Sequence, residues 1–103
     1  MQFNIIFEEI SDEQIVINLI ASAFLVVGKE YNFLPAVEAS AIPMVEHSLN
    51  GLPYLSFEKG EYVGFDQNRL FFEGYPVGAP TNDPNWKFKF PINNEAGSTI
   101  VEA

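Results

Sequence analysis

The sequence predicts a β-rich α+β fold in a single domain, and three observations carry that prediction. Residues 44–73 read as four short strands separated by three turn signals. Residues 12–27 form one capped, apolar run. Residues 86–92 open with Trp86, Phe88 and Phe90 alternating with Lys87 and Lys89, the period of a strand. The alternative is an all-β sandwich or barrel, in which the apolar run is two strands; its β-branched Ile15, Val16, Ile17, Ile20, Val26 and Val27 suit that reading.

At the N-terminus, Phe3, Ile5 and Phe7 alternate with Gln2, Asn4 and, less cleanly, Ile6, predicting a strand over Gln2–Glu8. Ser11 then has the chemistry of a helix N-cap. Gln14 stands where a capping box needs it, Asp12 and Glu13 complement the positive end of the helix dipole, and Gly28 supplies a stop. Gln14, Asn18 and Ser22 fall at i, i+4 and i+8, a narrow polar stripe on an otherwise apolar helix. Such a helix has to be covered on most sides, by the sheet or by another chain.

Tyr31–Leu34 reads as a short strand, Pro35 as the opening of one helical turn over Ala36–Ser40, and Pro43 as a break that holds Ile42 extended. In the meander, Met44–Leu49 precedes Asn50-Gly51, Leu52–Phe57 precedes Glu58-Lys59-Gly60, and Glu61–Phe65 precedes Asp66-Gln67-Asn68 and Arg69–Glu73. Asn-Gly suits a type I′ hairpin because both central residues need positive φ. Gly74–Pro84 is Pro- and Gly-rich and predicts a long loop. After residues 86–92, Asn93–Gly97 reads as a turn and Ser98–Val101 as a final edge strand.

Charge restricts function. Fourteen acidic residues against five basic ones give a formal net charge of −9 over 103 residues. Nucleic-acid binding depends on neutralising phosphates with Lys and Arg, so no direct nucleic-acid partner is expected, and anionic membrane surfaces are disfavoured for the same reason. The acidic start argues against a signal peptide, and Ile15–Val27 is too short to span a bilayer. The expectation is a soluble chain beginning near Met1, in the cytoplasm or in a virion. The absence of cysteine excludes disulfides and thiolate metal sites.

No catalytic, cofactor or metal site is legible. His47 is the single histidine and has neither a cysteine partner nor a nucleophile-elbow serine in its context. Asp66-Gln67-Asn68 begins like a calcium loop, but Leu70 stands where the next oxygen ligand belongs. Thr81-Asn82-Asp83 with Asn85 reads as an ordinary Asx turn stopped by Pro84.

Surface chemistry is what remains. Charged residues make up 18% of the chain, against about 25% in a typical domain, while ten Phe, four Tyr and one Trp are present. Apolar surface left by so few charges is expected to be buried against other protein chains, in a homo-oligomer or larger assembly. Tyr75, Pro76, Pro80, Trp86, Phe88 and Phe90 are the candidate interface. The functional expectation is a non-enzymatic interaction or assembly subunit, of which a structural or accessory protein of a virus or phage particle is one form. An acidic inhibitor (an immunity or anti-defence protein blocking a basic enzyme) is the alternative, and a small carboxylate-based enzyme the second.

Overall fold

The structure, a computed structural model, describes residues 9–44, 53–95 and 99–103. Among them are one α-helix, α1 (Asp12–Ser22), and six strands. These are β1 (Glu30–Ser40), β2 (Ile42–Pro43), β3 (Tyr54–Asp66), β4 (Arg69–Gly74), β5 (Phe88–Ile92) and β6 (Thr99–Glu102). All pairings are antiparallel, in the spatial order β2-β5-β4-β3-β1-β6. The fold is therefore α+β and β-rich, with an open sheet rather than a closed barrel.

Curling of the sheet creates the core. Phe57 of β3 stacks on Phe90 of β5 with ring centroids 3.8 Å apart, although β4 lies between their strands. Phe33 of β1 meets Phe72 edge-on at 4.9 Å, so aromatic rings from four strands interlock inside the curl. Phe57, Phe72, Phe88 and Phe90 are wholly buried. Each such ring pair adds about 0.5–1.5 kcal/mol beyond the burial of its area.

β3 corrects the predicted meander. Glu58-Lys59-Gly60 is not a turn, and the expected strands on either side of it are one thirteen-residue strand. The glycine serves a different purpose. A Cβ at Gly60 would lie 2.9 Å from Phe90 Cζ and 3.1 Å from Phe72 Cβ, so the absent side chain is what lets these rings approach. Asp66-Gln67-Asn68 does turn: Gln67 and Asn68 have φ of 49° and 66°, giving a two-residue type I′ hairpin between β3 and β4. Asp66 Oδ1 accepts from the Gln67 N–H at 2.9 Å, holding the turn. The expected strand Gln2–Glu8 and the Asn50-Gly51 turn lie outside the described residues.

β1 also differs from expectation. Pro35 opens no helix; Glu30–Ser40 is one strand with an irregularity between Asn32 and Val37 in its ladder to β3. Proline has no N–H to continue that ladder. On the other side, Phe33 and Leu34 pair with Ile100 and Thr99 of β6, the edge strand expected at the C-terminus. β5 begins at Phe88 rather than residue 86; Pro84–Trp86 form a single 3-10 turn.

The helix is shorter than the predicted 12–27. Ser11 caps it as expected, its Oγ accepting from the Gln14 N–H at 3.1 Å. It ends at Ser22 because the following N–H groups of Ala23, Phe24 and Leu25 bond three residues back, tightening the last turn. The Val26 N–H then goes to Tyr31 Oη and the Gly28 N–H to the Tyr62 carbonyl, so Gly28 marks a later turn.

Candidate protein-interaction surface

The orientation of α1 is the feature that matters most for function. Its polar stripe faces inward. Asn18 is wholly buried, and its side-chain amide uses all of its hydrogen-bonding capacity. Nδ2 donates to the Asn68 carbonyl and to Asn93 Oδ1, each at 2.9 Å. Oδ1 accepts from the Asn94 N–H at 2.8 Å and from Gln14 Nε2 at 2.9 Å. Gln14 also donates to the Asn94 carbonyl at 3.2 Å instead of closing the capping box. Gln14 and Asn18 thus latch α1 to the β3–β4 hairpin and to the segment after β5, while Ser22 Oγ donates to the Leu19 carbonyl of its own helix and Ala21 and Leu25 pack on the core.

The apolar side consequently faces outward. Successive helical residues turn by about 100°, which puts Ile20 opposite Asn18. Ile20 is 57% exposed and Phe24 80%, and Val16, Ile17, Leu19, Val26 and Val27 are exposed around them. From Gln14 to Gly28 no residue carries a charge. Asp12 and Glu13 bound the patch at its N-terminal end.

The residues expected at an interface are divided by the fold. Phe88 and Phe90 are core residues, which corrects their place in the candidate contact: a fully buried ring in a curled sheet presents nothing to a partner. Pro76 is buried and Tyr75 partly so. Pro80 is exposed, and Trp86 is 45% exposed on its 3-10 turn. The loop itself is ordered by local chemistry. Ala79 N–H bonds to the Pro76 carbonyl across a turn with Gly78 at φ +84°, and Val77 N–H bonds to Ser56 O on β3. Asp83 Oδ1 accepts from the Asn85 N–H at 3.0 Å, the Asx turn expected there. Trp86 precedes β5 and the latch follows it, so Trp86 and the α1 face sit at opposite ends of that strand; Leu34, Met44, Tyr54, Val77 and Val101 are further exposed apolar residues, outside the α1 face.

Elsewhere several lysines are paired with acidic or aromatic neighbours. Lys29 bonds Glu102 at 2.6 Å, and that hydrogen bond raises the ammonium above its ordinary value. Lys59 lies 3.7 Å from Glu30 and Lys87 3.9 Å from Glu73, while Lys89 sits over the Phe71 ring. An open groove of about 970 Å³ runs beside the helix N-terminus, with Ser11, Gln14, Glu38, Tyr54, Arg69 and Glu95 among its walls. Burial lowers the Arg69 guanidinium from its ordinary value. Among the described residues there is no cluster of three or more His, Cys, Asp or Glu able to hold a metal ion, and His47 lies outside them. No helix of the described residues is long and apolar enough to cross a membrane.

Sequence reasoning found the stripe but not its direction, and so missed Ile20 and Phe24 as surface residues. The available signal was the chemistry of the stripe: Gln, Asn and Ser without Lys or Glu, a composition suited to bonding buried backbone groups. Compared with known protein families, curated proteins and solved structures, the chain matches none.

Proposed function

We propose that this protein is a non-enzymatic interaction or assembly subunit that binds other protein chains through the outer face of α1. The observation that supports this reading is the inverted helix. A helix on a sheet ordinarily buries its apolar side, and here a fully satisfied amide network holds the polar side inward instead. A contiguous exposed apolar patch of this kind marks an interaction surface. The absence of charge on the patch directs it toward an apolar protein surface rather than a basic one. This reading moves the contact from the loop at 74–84 to the helix and leaves Trp86 as a secondary, separate feature.

The test is Ile20→Asp, examined by light scattering and thermal melting. Ile20 is more than half exposed, so the variant is expected to stay folded, losing about 1–2 kcal/mol to the partly buried side chain and to a carboxylate in the last helical turn. Association of the wild-type chain is expected to be lost. Association that survives the substitution unchanged would contradict the reading.

A further inference from the structure

We infer that the occupant of this face is a second copy of the chain, docked antiparallel about a two-fold axis at Ile20. The inference rests on the reading of α1 as an interaction surface and names its partner. Area is the first argument. The exposed parts of Val16, Ile17, Leu19, Ile20, Phe24, Val26 and Val27 amount to roughly 500 Å² per copy. Two such faces, wholly covered, bury about 1,000 Å², the level that a specific interface has to reach.

Charge is the second argument. A chain with net charge −9 repels its own copies except where its surface is neutral, and Gln14–Gly28 is such a stretch. A basic partner would find no carboxylate there to pair with. Orientation follows from Asp12 and Glu13. Parallel pairing would crowd the carboxylates of both copies together. Antiparallel pairing sets the two acidic turns about 24 Å apart at opposite ends of the helix pair, beyond the ~8–10 Å screening length. The same operation brings Val16 of one copy toward Phe24 of the other, in the tightened turn that follows α1, small against large, with Ile20 meeting its own symmetry mate.

Sedimentation velocity from about 1 to 100 µM, combined with single cysteines in this cysteine-free chain, tests the arrangement. The expected results are a two-chain species within that range, rapid disulfide formation by Ile20→Cys alone, and crosslinking in a mixture of Val16→Cys and Phe24→Cys. Val16→Cys alone is expected to crosslink poorly, and efficient self-crosslinking there would mean a parallel pair and overturn the proposal. A chain that stays monomeric, with the Ile20→Cys thiol open to reagent, would overturn the dimer and leave the face to a different protein. Binding of that monomer to neutral phosphatidylcholine vesicles would make a lipid surface the occupant. A monomer whose thiol is closed, or a dimer that persists in Ile20→Asp, would overturn both the dimer and the reading beneath it.

Discussion

Asn18 on α1 donates its side-chain amide to the main-chain carbonyl of Asn68, 2.9 Å away on the β3–β4 hairpin, and that bond helps set which way the helix faces. The Asn68 carbonyl can only accept and the Asn94 N–H can only donate, so the amide has one orientation that serves both. Removing the amide strands part-buried backbone groups on two segments. Asn18→Ala is expected to cost about 2–4 kcal/mol, read as a lowered urea midpoint. Asn18→Leu should recover none of it, because the site lacks hydrogen-bonding partners rather than volume. A leucine as stable as the asparagine would mean the network does not hold the helix.

Gly60→Ala tests the close approach inside the curled sheet. The new methyl meets Phe90 Cζ at 2.9 Å and Phe72 Cβ at 3.1 Å, and both rings are wholly buried. A loss of about 1–3 kcal/mol is expected in chemical denaturation. Stabilisation, the result expected where a glycine has room for a methyl and a φ that alanine adopts, would contradict the close approach.

What was legible in the sequence follows from the range over which each signal acts. The Ser11 cap, the Gln67-Asn68 hairpin and the Asp83 turn are decided by neighbours a few residues apart, and each was readable. Gly60 was misread because its partners, Phe72 and Phe90, are distant in the chain; locally, glycine after Glu58-Lys59 has the composition of a turn. Pro35 was misread for a related reason, since only the pairing of residues 37–40 with β3 shows that the strand continues past it. The polar stripe was visible, but the groups that Asn18 bonds (on Asn68, Asn93 and Asn94) lie on segments at least 50 residues away. Periodicity gives a stripe and no direction.

Trp86 and Phe90, both in the expected interface, should behave oppositely. Trp86 is nearly half exposed, so Trp86→Ala is expected to cost about 1–2 kcal/mol of folding stability, well short of the loss of a wholly buried ring. Phe90 is wholly buried and ring-stacked on Phe57, so Phe90→Ala is expected to cost about 3–5 kcal/mol. Thermal or urea unfolding of the two variants side by side checks the division between the surface ring of the 3-10 turn and the core ring of β5.

Stability should fall in alkali through Tyr62. Burial, and secondarily the neighbouring Tyr31, raises its phenol above the ordinary value of 10.0. Above that value the unfolded chain releases a proton that the folded chain retains, so the unfolded state binds fewer protons and stability declines as pH rises. The contribution is fully present below pH 10.0 and is lost through the raised folded value. Urea midpoints across this range should fall less steeply for Tyr62→Phe than for wild type. Equal slopes would show that Tyr62 does not carry the dependence.

Thiol labelling of the Ile20→Cys variant as a function of protein concentration tests the outward apolar face most directly. The chain has no other cysteine, so one rate reports one position. The prediction is rapid modification in dilute solution, where α1 is uncovered, and slowing by at least about tenfold as association covers the face. A thiol that is closed at every dilution would contradict the account, because the face would then be covered within a single chain.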